Sequence, residues 1–177
     1  DGSGMNYGRN DDQEKPEYNY VREVDYCSGA SLLVRRELFE KIDGFDNQFA
    51  PGYYEDVDLC FSIRKLGYKV MYQPKSVIVH FEGMTSGTDL NFGMKKYQKI
   101  NKEKFYDKWK NILINENFDF SQKNIIFARN KNKNKKILVI DNHVPTFDKD
   151  EGSCRMYNIV KIFNELGNVV TFTGHNL

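Results

Sequence analysis

Residues Arg129 to Lys136 read Arg-Asn-Lys-Asn-Lys-Asn-Lys-Lys, a run with no apolar side chain. Such a segment is low in complexity, solvated and basic, and cannot join a hydrophobic core. It therefore divides the 177-residue chain into two parts, each of which must bury its own apolar residues. The boundaries predicted from this break are a first unit over 1–120, a basic polar linker over 121–135, and a second unit over 136–177. With 40% hydrophobic and 14% aromatic residues, the chain is globular in composition rather than disordered. A net charge of +1 gives no footprint for nucleic acid, and the basic run has no interleaved aromatics. Cys27, Cys60 and Cys154 are odd in number and far apart, as expected for buried thiols in a reducing cytoplasm. No apolar run has the length of a membrane span, and the polar start is not a signal peptide.

Within the first unit, residues 1–20 are polar and read as a long loop, either a lid or a disordered end. Short strands are expected at Val24–Cys27 and at Lys69–Tyr72. A buried strand is expected at Ser31–Val34, and a further short strand at Ser76–His80. Arg35–Ile42 has the spacing of a short helix closed by Gly44. A long helix over about Phe92–Leu113 presents Tyr97, Ile100, Phe105 and Trp109 as its apolar face. In the second unit, Ile137–Ile140, Ser153–Leu166 and Val169–Phe172 spell one βαβ element with a buried first strand. Gly152-Ser153 opens its helix, and Asp141 and His143 end its first strand. No GxGxxG is present, so a dinucleotide fingerprint is absent.

The densest chemistry lies in Phe49–Leu66, FAPGYYEDVDLCFSIRKL. A Pro-Gly turn and two tyrosines lead into Glu55, Asp56 and Asp58, and an amphipathic helix then runs to Gly67. Acidic residues favour the positive end of a helix, yet three behind a Gly-aromatic loop exceed what a cap needs. One of them could take a proton or hold a metal at the mouth of a cleft. His80, where a strand enters a Gly-rich loop, is either a hydrogen-bonded edge residue or a ligand for metal or phosphate. Ser28-Gly29-Ala30 is either a tight turn or a place where a ligand approaches the backbone. Tyr53 and Tyr54 either stack on a sugar or belong to the core. Carboxylates with one histidine also suit a metal-dependent hydrolase, so spacing alone does not choose the reaction.

The run VDYCSGASLLVRRELFEKIDGFDNQFAPGYYEDVDLCFSIRKLGYKVMYQPKSVIVHFEG resembles the C-terminal half of family 2 glycosyltransferases of the GT-A fold, over about residues 1–110. KKILVIDNHVPTFDKDEGSCRMYNIVKIFNELGNVVTF resembles the first βαβ of a family 4 type, GT-B glycosyltransferase. The implied fold is α/β: the acceptor side of a GT-A domain, then an incomplete Rossmann-like fragment.

By this resemblance the protein is a piece of an inverting enzyme that moves a sugar from a nucleotide-diphospho-sugar to a growing bacterial surface glycan. Asp56 is the implied general base, with Glu55 as the competing choice. Ser28, Gly29, Ala30, Tyr53, Tyr54 and Asp58 fall on the substrate side, with Asp58 structural or acceptor-binding. His80 matches a histidine that helps hold a divalent metal, Mn2+ or Mg2+, or the donor diphosphate. The family's N-terminal donor half and its DxD motif are absent, and Asp11-Asp12 lies in a polar loop rather than after a strand. The chain, which has no initiator methionine, is thus expected to be an excised piece, inactive alone. Its expected location is the cytoplasm, or peripherally the inner face of the membrane. The alternative is a non-catalytic glycan-binding or assembly module without a donor site.

Overall fold

The structure is a computed structural model that describes residues 2–4, 7–81, 93–119, 121–131 and 134–175, with the side chains at 122 and 126 left aside. The chain is mixed α/β and divides into two compact units, Asp1–Gln122 and Lys123–Leu177. No described helix is long and apolar enough to cross a membrane.

The first unit opens with turns rather than regular structure. Asp11 ties this segment together, accepting from Lys15 Nζ at 2.7 Å and from the Tyr18 hydroxyl at 2.6 Å. Strand β1 (Arg22–Val24) then pairs antiparallel with β2 (Val70–Tyr72), with Glu23 opposite Met71. The first strand thus ends where the sequence pattern placed its start. Residues Gly29–Ser31 form a 3-10 turn capped by Ser28, whose hydroxyl accepts from Ala30 N–H.

The buried strand expected at Ser31–Val34 does not form. Leu33 is 97% exposed, while Leu32 and Val34 pack against a cluster of Leu38, Leu59 and Ile63. An extended backbone sends alternate side chains to opposite sides, and here only one side has a core to meet.

Helix α1 (Arg36–Lys41) stops in a left-handed turn at Asp43 and Gly44, where the Gly44 N–H returns to the Phe39 carbonyl. Helix α2 (Glu55–Lys65) is the centre of the unit, because it has a buried side toward each of two clusters. Leu59 and Ile63 face the one just described, and Phe61, with Val57 beside it, faces Phe49, Phe105 and Trp109. Gly67, at φ 85°, closes the helix as expected.

The strand expected at Ser76–His80 is not a strand. The segment has no ladder partner among the described residues, and Val79 is 81% exposed. Branched apolar residues suit a pleated surface, but a strand exists only where a neighbour takes up its N–H and C=O groups. The Gly-Ser-Thr loop expected after it lies outside the described residues from position 82 onward.

Helix α3 (Lys96–Glu116) takes up most of the helix expected over about Phe92–Leu113, running three residues further at its C-terminus. Gly93–Lys95 form a 3-10 turn, and position 92 lies outside the described residues. Phe105 and Trp109 are buried as expected, but Ile100 is exposed and Asn101 turns inward in its place. The reason is angular: Asn101, Phe105 and Trp109 are four apart and share one face.

The second unit begins with a short helix α4 (Ile125–Arg129), within the stretch expected to be linker. The linker's other end is built into the fold too, since Asn134 N–H donates to the Gly167 carbonyl and its side chain to that of Leu166. Strand β3 (Lys136–Asp141), helix α5 (Glu151–Glu165) and strand β4 (Val169–Gly174) form the predicted βαβ, with the strands parallel. The first strand is not fully buried, however, for Leu138 and Ile140 are exposed. A single helix covers only one face of a two-stranded sheet.

Candidate active site

The acidic helix start is presented by a turn with unusual backbone. Phe49 ends a 3-10 turn capped by Asp46, the Ala50–Pro51 peptide is cis, and Tyr53 and Tyr54 follow at φ 71° and 73°. Two successive non-glycine residues in the left-handed region cost about 1–3 kcal/mol each, and only firm surroundings keep them there. Tyr54 has such surroundings. Its ring lies 5.3 Å from that of Phe105, and its hydroxyl donates to the Gly2 carbonyl at 3.1 Å. Burial pushes that phenol up to about 12. The Tyr53 ring is half-buried, with the Lys95 ammonium 5.1 Å from its centre.

The three carboxylates have different surroundings. Asp56 Oδ2 accepts from the Gly29 N–H at 2.7 Å, and Oδ1 from the N–H of Val57 at 2.8 Å. Ser28-Gly29-Ala30 forms the tight turn, and the group held against its backbone is the chain's own Asp56 carboxylate. A Cβ on Gly29 would stand 3.2 Å from Asp56 Cβ and 3.3 Å from Oδ2. Ser28, Gly29 and Ala30 are themselves exposed beside it.

Glu55 is half-buried, and its carboxyl is raised by burial, with a smaller contribution from the charge of Asp56. Its Oε2 has no hydrogen-bond partner among the described residues. Asp58 is 3% exposed and points the other way. It accepts from Trp109 Nε1 at 2.7 Å and from Lys108 Nζ at 2.8 Å, while the same ammonium reaches Asp46 at 2.8 Å. Burial pulls Lys108 down, but its bonds to Asp46 and Asp58 outweigh this and hold it above the ordinary lysine value.

Asp56 and the Ser28–Ala30 turn therefore share one surface, reached through Gly29, with Glu55 next to Asp56 in the same helical turn. Tyr26 joins them without having been singled out in the sequence. Its phenol is raised, first by burial and then by the negative charge of Asp56. A lone tyrosine in a strand-like run carries no signal of that neighbour. His80 is exposed, and among the described residues no three His, Cys, Asp or Glu side chains gather as a metal site. The described residues thus do not build a cage for the divalent ion.

The sequence profile described as "Glycosyltransferase like family 2" matches residues 7–97, just over half of the chain. The chain belongs to that family. The matched span of this family 2 chain contains Ser28–Ala30, the 49–54 turn, Glu55, Asp56, Asp58 and His80. Rhamnosyltransferase WbbL of Escherichia coli K12 is 34% identical over 97 residues, 54% of this chain and 35% of the relative. The N-acetylglucosaminyl-diphospho-decaprenol L-rhamnosyltransferase of Mycobacterium tuberculosis is 38% identical over 68 residues, 38% of this chain and 22% of its own length. Pre-mycofactocin glycosyltransferase of the same organism is 32% identical over 57 residues, 32% of this chain and 12% of the relative. The family 2 chain thus spans about a third or less of the length of these curated relatives. No solved structure matches it significantly.

In the second unit, Asp150 caps α5 by accepting from Ser153 N–H at 2.7 Å, and Ser153 Oγ lies 3.4 Å from His143 Nε2. These residues line an open cleft with Asp141, Gly152 and Arg155 at the end of β3.

Proposed function

We propose that this chain is the acceptor side of a GT-A-type glycosyltransferase that transfers a sugar with inversion, using Asp56 as general base. The observation that carries this is the 2.7 Å bond from Gly29 N–H to Asp56 Oδ2. It joins the acceptor-side turn to the acidic helix start and fixes the carboxylate from its backbone side. Each carboxylate oxygen has two lone pairs, so an oxygen already held by one N–H can still receive a hydroxyl proton. In the proposed step the acceptor hydroxyl gives its proton to Asp56 as its oxygen bonds to the anomeric carbon. The bond from that carbon to the diphosphate breaks, and the nucleoside diphosphate leaves with the electron pair. Proton removal of this kind contributes about 10²–10⁴-fold.

The names of two relatives support rhamnose, a deoxyhexose, as the donor sugar, and one of them a lipid-diphosphate-linked sugar as the acceptor. The second unit is read, with the resemblance noted above, as the opening βαβ of a GT-B-type domain. Glu55 is the second choice of base, favoured by its unpartnered Oε2 and its raised carboxyl.

The test is transfer from a nucleotide-diphospho-rhamnose to glycan acceptors by the intact native protein, with anomeric configuration read by NMR. Asp56→Asn should lower kcat by about 10²-fold or more while sparing donor binding. Near-normal turnover in Asp56→Asn with collapse in Glu55→Gln would reassign the base. No transfer by the unaltered protein, with saturable glycan binding that survives Asp56→Asn, would make the chain a binding module instead.

A further inference from the structure

We propose that Asn101 is the positioning residue of the transfer site, clamping the 49–54 turn from helix α3 so that Glu55 and Asp56 keep their places. This rests on the sugar-transfer function proposed above. Asn101 is fully buried, at 0% exposure, in the middle of a helix face that otherwise carries Phe105 and Trp109. Its Nδ2 donates to the carbonyls of Phe49 at 2.7 Å, Gly52 at 2.9 Å and Tyr53 at 3.1 Å. A side-chain amide has two N–H bonds, so three converging acceptors use all of its donor capacity, one hydrogen being shared. The orientation is fixed by the same geometry, since a flipped amide would set Oδ1 against three carbonyl oxygens.

Helix packing alone does not explain an asparagine here. An apolar residue would continue the seam, and Asn101 leaves its Oδ1 buried with no hydrogen-bond partner among the described residues. Buried polar atoms without partners are rare and costly, so the residue is accounted for by what its donor end does. That end gathers the backbone of a turn whose next two residues, Tyr53 and Tyr54, are both left-handed. Tyr54 is the residue just before α2, and its carbonyl accepts from the Asp58 N–H at 2.9 Å to begin the helix. Releasing the three carbonyls frees this strained pair to relax, and the Asp56 carboxylate would then drift from the Gly29 N–H. Misplacement of a catalytic group by about 1 Å can cost about 10²-fold in rate.

The test uses the intact native protein and two kinds of readout. In Asn101→Leu, backbone amides of residues 50–58 should exchange with deuterium faster, with those of 105–113 in α3 unchanged. Transfer should fall by about tenfold or more in kcat, with donor KM held within about twofold. Unchanged exchange over 50–58, acceleration spread evenly through α3, or a loss confined to KM would each overturn the proposal. A second measurement needs no variant: the Asn101 side-chain amide protons should exchange slowly and show NOEs to Gly52 and Tyr53. Exchange as fast as in an exposed asparagine overturns the proposal even if Asn101→Leu does not fold. If the unaltered protein transfers no sugar, the proposed activity fails on that result. The exchange readouts then still decide whether Asn101 holds the turn.

Discussion

The carboxylate of Asp58 accepts from the indole N–H of Trp109 at 2.7 Å, across 51 residues of sequence. This bond welds α2 to α3 beneath the acidic helix start, and it separates Asp58 in role from its neighbours. Glu55 and Asp56 are half-buried at the helix start, whereas Asp58 is buried and holds the two helices together.

Trp109→Phe keeps an aromatic ring against Phe61 but removes the donor, leaving a buried carboxylate with Lys108 as its remaining partner. The expected loss of stability is about 2 kcal/mol, read as a lower urea midpoint with an unchanged slope. A midpoint equal to that of the parent would show that the bond is not maintained in solution.

Glu55 supplies a pH dependence of definite sign. Burial raises its carboxyl in the folded chain. A carboxyl raised on folding contributes stability that is full below its unfolded value and is lost as pH rises through the folded one. Glu55→Gln abolishes this dependence, so the variant should be more stable than the parent at about pH 8. The difference should close at about pH 3, where both side chains are neutral. Paired urea titrations across that range test it, and a gain that persists at low pH would contradict the assignment to burial.

Gly29→Ala places a methyl group 3.2 Å from Asp56 Cβ and 3.3 Å from Oδ2. Because the turn is exposed, the carboxylate can be pushed aside with little effect on folding. We expect an unchanged thermal midpoint with kcat for sugar transfer reduced by about tenfold to 10²-fold. Loss of stability with normal kcat would mean that Gly29 serves the turn alone.

Several parts of the structure could be read directly because they are local. The α2 helix, its acidic start and its Gly67 stop follow from periodicity and capping, and so does the βαβ of the second unit. Of the three thiols expected to be buried, Cys60 is, whereas Cys27 and Cys154 are only half-buried. The errors lie where local pattern needs a distant partner. Ser31–Val34 and Ser76–His80 have strand-like composition, yet neither finds a ladder among the described residues. Asn101 carries no signal in the sequence, since nothing within α3 announces the three carbonyls it meets.

The residue pattern by itself determined helices α1, α2 and α5 and the place of the acidic cluster. Each of these depends on interactions over a few residues: backbone hydrogen bonds, caps and the spacing of apolar side chains. Only the tertiary structure decided which carboxylate does what. Gly29 reaches Asp56 across 27 residues, Trp109 reaches Asp58 across 51, and Asn101 reaches the turn across about 50. A side chain's role depends on the donors brought to it by folding, and for these three contacts the donors come from elsewhere in the chain.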